Sequence, residues 1–158
     1  MSDLHPNCVA INEILAGAGL PGRVRILPEP APTAVAAAEQ IGCEVGAIAN
    51  SLLFATAENE PVLVLTSGAH RVDTAKVAAL LGTSAIKRAT PDFVRASTGQ
   101  VIGGVSPVGH PTPIRTLLDR DLARYEQVWA AGGIAHAVFG IRYEDLRALT
   151  GAEEAIVA

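Results

Sequence analysis

A glycine- and proline-rich segment, residues 97–113, places the strongest constraint on how this 158-residue chain can fold. It holds four of the fifteen glycines and three of the ten prolines. Glycine permits positive φ and close approach of the backbone to a ligand, whereas proline fixes φ and removes a hydrogen-bond donor. The central Gly-Gly-x-Ser-Pro-x-Gly-His run, residues 103–110, therefore predicts a shaped binding loop whose N–H groups face an anion or a carbonyl oxygen. An ordinary tight connection between strands is the alternative.

The bulk composition predicts one domain that covers residues 1–158. Apolar residues make up 49% of the chain and charged residues 18%, which argues against a disordered protein. The net charge of −4 gives no general attraction for nucleic acid, so we predict no DNA partner. Contact with tRNA would need a local basic patch, for which the candidates are Arg71, Lys76, Lys87, Arg88 and Arg95.

Neither the cysteines nor the N-terminus predicts a metal site, a disulfide or a targeting segment. Cys8 and Cys43 lie outside any Cys/His cluster, so we expect both to pack as small apolar residues and no metal to bind. No apolar run reaches the roughly 18–20 residues that cross a bilayer. The first residues lack the basic and apolar regions of a signal peptide. We therefore predict a soluble cytoplasmic protein without membrane contacts.

Capping residues and glycines divide the chain into short elements. Thr33, Asp73 and Thr90 are candidate N-caps, each followed by a helical pattern that ends at a glycine. Helices are predicted at residues 7–19, 33–41, 74–81, 91–99 and 143–149. Strands are predicted at residues 24–27, 47–56, 62–66, 114–118, 127–131 and 137–141, with a brief one at Ile86. The second and third strands are predicted to form a hairpin, and the whole predicts an α+β (mixed α/β) fold with helices around a mixed sheet.

Common catalytic motifs are absent from the sequence. There is no Gly-x-Ser-x-Gly nucleophile elbow, no phosphate-binding Gly-x-x-x-x-Gly-Lys and no His-Glu-x-x-His. The run at residues 103–107 lacks the lysine and the third glycine of nucleotide-binding loops. We therefore predict no cofactor.

Asn50 is the exceptional residue of the apolar segment 47–56. With the two-residue period of a strand, it shares a face with Ile48, Leu52 and Phe54, which are all large and apolar. A buried amide without partners costs about 1–3 kcal/mol. Asn50 therefore either hydrogen-bonds a neighbouring backbone or points into a pocket, and the residues alone leave both alternatives open.

The histidines and paired carboxylates are candidates with structural alternatives. His110 and His136 could each act as an acid or a base near neutral pH, and His70 lies in a predicted turn before a helix cap. A lone histidine is more often structural than catalytic. Caps and solvated faces are expected for the carboxylate pairs, which are Asp119/Asp121, Glu144/Asp145 and Glu153/Glu154.

Five motifs occur together along the chain: Ala49-Asn50-Ser51-Leu52-Leu53-Phe54, Ser67-Gly68 through Arg71-Val72-Asp73, Ser97-Thr98-Gly99, Gly103-Gly104-Val105-Ser106-Pro107 and Ala131-Gly132-Gly133. In order and approximate spacing they resemble the YbaK/EbsC-like aminoacyl-tRNA deacylases. Members of this family are free-standing relatives of the editing domain inserted in bacterial prolyl-tRNA synthetases. The resemblance covers residues 14–151, and the ordered set is more specific than any one motif.

The resemblance implies a strongly bent mixed sheet and hydrolysis of the ester between a wrong amino acid and the terminal adenosine of a tRNA, often tRNA for proline. The expected substrate is an aminoacyl-tRNA 3′ end, and a prolyl-tRNA synthetase is a candidate partner. Loop N–H groups would stabilise the oxyanion of the ester. The implied catalytic residues are Asn50, Gly103, Gly104, Val105 and Ser106. The implied substrate-binding residues are Ile48, Leu52, Thr98, Gly99, Pro107, His110, Gly132 and Gly133.

Asn50 departs from the family pattern, because the best-known members carry a lysine at this position. Asparagine can hydrogen-bond a ribose or a phosphate, but it supplies no positive charge. The only lysines, Lys76 and Lys87, belong to other predicted elements. Two functions therefore stay open: trans-editing by ester hydrolysis, and a module that binds an aminoacyl-tRNA end or an amino-acid-like ligand without turnover. Hydrolysis of another small ester or amide has no supporting motif.

Overall fold

Eight strands form one mixed sheet with five α-helices around it in the computed structural model, which describes residues 4–31 and 33–158. The strands are β1 (Arg25–Ile26), β2 (Ile48–Thr56), β3 (Pro61–Ser67), β4 (Ile86–Arg88), β5 (Arg115–Asp119), β6 (Val128–Ala131), β7 (Ala137–Ile141) and β8 (Glu153–Ala155). The helices are α1 (Pro6–Gly17), α2 (Ala34–Ile41), α3 (Thr74–Leu81), α4 (Pro91–Thr98) and α5 (Tyr143–Thr150), with 3₁₀ helices at Val45–Ala47 and Arg120–Arg124. Residues 1–3 belong to the N-terminal segment in which the sequence predicts no signal peptide, and they lie outside the described residues.

The sheet has the order β1-β7-β6-β2-β3-β5-β8, and β4 pairs with β2 off this path. β2 and β3 form the predicted antiparallel hairpin, with Ala49 opposite Ser67 and Ala55 opposite Pro61. The pairs β2–β6, β3–β5 and β5–β8 are parallel. The prediction of a mixed α/β domain is confirmed.

Side-chain caps set the starts of three helices, as predicted. Thr33, Asp73 and Thr90 each accept a hydrogen bond from the backbone N–H three residues later, and a left-handed glycine ends each of these helices. The predicted helix at residues 7–19 ends earlier, at Gly17. Within the described residues, no helix has the length and apolar character needed to cross a membrane.

Two strands differ from their predictions. β1 is only two residues long, although Leu27, just beyond it, still donates its N–H to the His136 carbonyl at 2.7 Å. β8 is absent from the prediction because two of its three residues are glutamates, which give no apolar alternation. Glu153 and Glu154 lie on an edge strand that pairs with β5. Both residues are exposed, so the solvated face expected for this pair is confirmed.

Both faces of the sheet are covered, which explains the continuous apolar runs of the central strands. On β3, Leu63 and Leu65 belong to the core that includes buried residues of α1, α4 and α5. Val62 and Val64 alternate with them and pack in the core that contains Val77 of α3. α2 covers a third, smaller cluster that includes Ile48 of β2.

A buried carboxylate joins β3, β5 and the 3₁₀ helix after β5. Asp119 is 2% exposed; its Oδ2 accepts a hydrogen bond from Ser67 N–H at 2.8 Å, and its Oδ1 from Asp121 N–H at 3.0 Å. His70 Nε2 lies 2.5 Å from Asp119 Oδ2, and His70 Nδ1 lies 3.4 Å from Asp121 Oδ2. Asp119 is thus a cap, as predicted, but it is buried and fixes the turn that carries His70.

Replacing this carboxylate should destabilise the fold. We expect Asp119→Ala to lower the free energy of unfolding by about 1–3 kcal/mol or more, because it leaves the buried Ser67 N–H without an acceptor. The control is Asp121→Ala, whose side chain is 54% exposed and whose loss should cost about 0–1 kcal/mol. Denaturant unfolding of both variants measures the difference, and equal losses would contradict the role given to Asp119.

Candidate functional site

A cavity of about 300 Å³ opens beside β2. Its walls come from β2, α2, β4, the 102–105 segment and the β6–β7 region. Nine alanines are among its described lining residues, so the inner surface is largely small and apolar. Of the residues that the sequence singled out for the site, the lining includes Ile48, Asn50, Leu52, Gly103 and Val105.

β2 changes partners along the edge that faces the cavity. β6 pairs with it only at Ile48 and Ala49, and β4 pairs with it from Phe54 onward. Between these pairs, residues 50–53 have no strand partner on this edge in the described structure. At about 3.3 Å per residue, the gap is roughly 13 Å long. An unpaired strand edge presents backbone donors and acceptors to any ligand that enters the gap.

Ser51 lies in the middle of the gap and lines the cavity. The Leu53 carbonyl faces the gap, because it accepts a hydrogen bond from Ala89 N–H at 3.1 Å. Residues two apart on a strand direct their backbone groups to the same edge, so the N–H and carbonyl of Ser51 also face the gap. Its Oγ is buried and has no hydrogen-bond partner among the described residues. Sequence reasoning did not single out Ser51; its only signal was its place within the motif around Asn50.

Asn50 lines the cavity with an exposed side chain. The missing strand partner on this edge leaves the amide open to solvent. No hydrogen bond joins its side chain to any residue in the described part of the chain. Of the two alternatives for Asn50, the structure therefore favours the one in which its side chain points into a pocket.

Gly103 and Val105 form a second wall of the cavity. Gly103 has a φ of 89°, which requires glycine, and Val105 is 3% exposed. Gly104 is buried between them, and its N–H donates to the Val101 carbonyl at 2.9 Å. Within residues 4–31 and 33–158, the N–H groups of Gly103 and Val105 have no hydrogen-bond partner. These two N–H groups are therefore the best candidates for the oxyanion donors that the resemblance implies.

Buried hydrogen bonds hold this loop from behind. Ser106 is fully buried; it donates its N–H to Gln100 Oε1 at 2.8 Å and its hydroxyl to the Val108 carbonyl. Gln100 N–H donates to Thr98 Oγ1 at 3.0 Å, and the Thr98 hydroxyl donates to the Val94 carbonyl at 2.7 Å. Thr98 and Ser106 support the loop and do not line the cavity. Gln100 acts with them, although the sequence did not single it out.

Three further predicted site residues lie outside the cavity lining. Gly99 ends α4 in the left-handed conformation, and Pro107 is buried. His110 donates from Nε2 to the Ser106 carbonyl at 2.9 Å. Burial lowers the pKa of His110, and this hydrogen bond partly opposes the shift. A direct role for these three in binding stays a prediction.

Gly132 and Gly133 shape the connection between β6 and β7. Gly132 N–H donates to the Ala137 carbonyl at 2.7 Å, and the Gly133 carbonyl accepts from Asn7 Nδ2 at 3.1 Å. Neither glycine lines the cavity, but Ala131 and other alanines of this region do. Gly132 and Gly133 thus position this wall of the cavity but do not line the cavity themselves.

The lining carries little charge. Arg88 is the only charged side chain among its described residues, and no histidine, cysteine or carboxylate of the described structure lines it. Ligand atoms of His70, Asp119 and Asp121 lie within 4.8 Å of one another away from this lining. Asp119 already accepts hydrogen bonds from the backbone there, so this cluster has a structural explanation.

Comparison with known proteins gives this fold a family. A family model described as an aminoacyl-tRNA editing domain matches residues 28–149. The chain is 31% identical to the uncharacterized protein YwhH of Bacillus subtilis over 110 residues, which cover 70% of this chain and 69% of that protein. It is 27% identical over 101 residues to EbsC of Enterococcus faecalis, a candidate Cys-tRNA(Pro)/Cys-tRNA(Cys) deacylase, covering 64% and 62% of the two chains. The resemblance drawn from the sequence motifs is confirmed.

Solved structures match along nearly the full chain. A crystal structure of a candidate trans-editing enzyme for prolyl tRNA synthetase has a TM-score of 0.90 and 42% identity, covering 98% of both chains. Hypothetical protein APE2540 has a TM-score of 0.86 and 28% identity, covering 94% of this chain and 98% of that one.

A match by sequence covers a small part of a longer protein. A proline–tRNA ligase of Nitratidesulfovibrio vulgaris (strain DP4) is 34% identical over 82 residues, but these are only 14% of the ligase.

Gly104 should not tolerate a side chain. A Cβ there would lie 2.6 Å from the carbonyl carbon of Ile134, so the loop or the β6–β7 connection must shift. We expect Gly104→Ala to cost about 1–3 kcal/mol of unfolding free energy through overpacking. Gly17→Ala is the control, since a Cβ in that helix meets nothing within 4 Å. A Gly104→Ala protein as stable as Gly17→Ala would contradict this packing.

Ser51 should be dispensable for stability, because its hydroxyl is buried without a partner. We expect Ser51→Ala to leave the free energy of unfolding unchanged or to raise it by up to about 1 kcal/mol. Ser106→Ala, which removes a fully buried and hydrogen-bonded hydroxyl, should instead lower it by about 1–3 kcal/mol. Thermal and denaturant unfolding of the two serine variants test this contrast.

Proposed function

Because the chain belongs to the family of aminoacyl-tRNA editing domains, we propose that it hydrolyses the ester of a mischarged aminoacyl-tRNA in trans. The proposed substrate is tRNA for proline that carries a small wrong amino acid. The observation that carries the proposal is one cavity lined by Asn50 and Ser51 on β2 and by Gly103 and Val105, whose N–H groups have no hydrogen-bond partner in the described structure. Three of these four positions belong to the site residues implied by the sequence motifs.

The proposed reaction uses polarisation of the ester rather than a covalent intermediate. The N–H groups of Gly103 and Val105 bind the carbonyl oxygen, and losing one such donor typically costs about 2.7–4 kcal/mol of transition-state stabilisation. Water attacks the carbonyl carbon, the bond to the ribose oxygen breaks, and that oxygen gains a proton. Asn50 and Ser51 orient the ribose. The described lining residues include no carboxylate and no imidazole. The proposed carrier of the proton from the attacking water to the leaving ribose oxygen is therefore the free hydroxyl of the same ribose.

The alanine-rich walls support a small aliphatic or similarly compact amino acid. A cavity of about 300 Å³ must also receive part of the adenosine, which limits the room left for the side chain. Each methylene changes binding by only about 1–3 kcal/mol, so the walls favour a size class rather than one amino acid. Cytoplasmic localisation and partnership with a prolyl-tRNA synthetase stay predictions of the sequence.

The second candidate function is a module that binds the aminoacyl-tRNA end without turnover. Asn50 favours it, because an amide supplies no positive charge where the resemblance leads one to expect lysine. A deacylation panel with alanyl-, cysteinyl- and seryl-tRNA separates the two functions. Hydrolysis no faster than in buffer for every substrate would end the enzymatic proposal and leave the binding module.

Asn50→Ala should reduce activity without loss of stability. Its side chain is exposed and has no hydrogen-bond partner in the described structure, so the thermal midpoint should stay nearly unchanged. We expect kcat/KM for deacylation to fall about tenfold, as for the loss of one hydrogen bond of about 1.4 kcal/mol to substrate. A large drop in the thermal midpoint would instead identify a structural amide.

Asn50→Lys tests whether the site is a lysine site in which the lysine has been lost. In that case the variant should hydrolyse the same panel faster than the wild type, because the ammonium group restores a positive charge beside the ester. Initial rates at equal enzyme concentration measure this. Activity that does not rise would indicate a mechanism distinct from that of the lysine-bearing family members.

A further inference from the structure

Arg88 gives the cavity its single positive charge among the described lining residues. It is the last residue of β4 and is exposed. Its guanidinium lies 5.9 Å from the centroid of the Phe54 ring, and no carboxylate or other hydrogen-bond partner contacts it within the described structure. An arginine without an anionic partner at the lip of a cavity is available to a ligand.

The register places Arg88 on the same side of β2 as Asn50. Arg88 is opposite Phe54, and Phe54 shares a strand face with Asn50 because the two are four residues apart. The two positions are therefore roughly 13 Å apart along β2, one at each end of the unpaired edge. Arg88 and Asn50 line the same cavity.

The anion nearest to the ester of an aminoacyl-tRNA is the phosphodiester on the 5′ oxygen of its terminal adenosine. It lies one ribose away from the ester, whichever amino acid is attached. A guanidinium binds phosphate oxygens through paired hydrogen bonds. The apolar inner walls suit the amino acid, whereas the charged lip suits this phosphate.

We propose that Arg88 binds the phosphodiester between the terminal adenosine and the preceding nucleotide. This inference rests on the proposed function, since it assumes an adenosine ester in the cavity. Arg88 holds the substrate by a group that does not react, so its interaction is the same in the ground state and in the transition state. Its loss therefore raises KM and leaves kcat nearly unchanged.

Lys87 provides a matched control. It is the adjacent residue on β4, it is exposed and positively charged, and it does not line the cavity. Alternation along the strand directs its side chain to the other face. Arg88→Gln and Lys87→Gln make the same change in net charge, so a difference between them reports the position of the charge. Arg88→Lys retains the charge without the paired hydrogen bonds.

The experiment compares two substrates with the same amino acid: the aminoacylated dinucleotide CpA, which carries the phosphodiester, and aminoacyl-adenosine, which does not. We expect Arg88→Gln to raise KM for aminoacyl-CpA about tenfold and to leave aminoacyl-adenosine within about twofold. Lys87→Gln should change neither by more than about twofold, and Arg88→Lys should fall between.

Three results would overturn the proposal: no preference of the wild type for aminoacyl-CpA, an equal loss on both substrates in Arg88→Gln, or the same loss in Lys87→Gln. If neither ester is hydrolysed, binding of uncharged CpA and of adenosine decides the role of Arg88. The proposed function itself fails only if the panel of aminoacyl-tRNAs is not hydrolysed either. Tighter binding of CpA by the wild type, lost in Arg88→Gln only, supports the phosphate site without catalysis. Equal affinities of the wild type, Arg88→Gln and Lys87→Gln for CpA would reject it. Thermal midpoints identify any variant that is merely misfolded.

Discussion

The change of partner along β2 is the constraint on which the site depends. β3 pairs with β2 over the whole hairpin and anchors it in a sheet covered on both faces. On the other edge, β6 and β4 pair only with the two ends of β2, so the N–H and carbonyl of Ser51 have no strand partner in the described structure. A cavity formed in this way has a rigid wall and an open edge at the same place. This combination suits a site that must hold a substrate in one orientation.

The hydrogen bonds around the loop at residues 103–107 determine which of its N–H groups stay free. Gln100, Ser106 and Thr98 use their hydrogen bonds inside the protein, and Gly104 packs its backbone against Ile134. Within residues 103–107 of the described structure, the N–H groups of Gly103 and Val105 are then left without a hydrogen-bond partner, and both residues line the cavity. Several of the residues implied by the motifs therefore act as supports, which accounts for their place in the motif without requiring contact with substrate.

Much of the fold could be predicted from the sequence, because caps and glycine stops are local signals. Thr33, Asp73 and Thr90 mark helix starts by their own hydrogen bonds, whereas β8 carries no such signal and owes its existence to pairing with β5. The site was predictable only in part. The sequence left two alternatives open for Asn50, because strand periodicity tells which face a residue occupies but not whether a neighbouring strand is present. The free charge of Arg88 and the unpartnered hydroxyl of Ser51 likewise depend on contacts distant in sequence.

The alanine-rich lining has an evolutionary consequence. If the acid–base chemistry belongs to the tRNA ribose and the polarising groups belong to the backbone, no lining side chain forms a bond to the substrate or transfers a proton. Exchange of one alanine for a larger or more polar residue would then change which amino acid fits while the reacting geometry persists. Relatives built on this fold can diverge in selectivity by single substitutions, so a family of editing domains can cover several charging errors with one backbone.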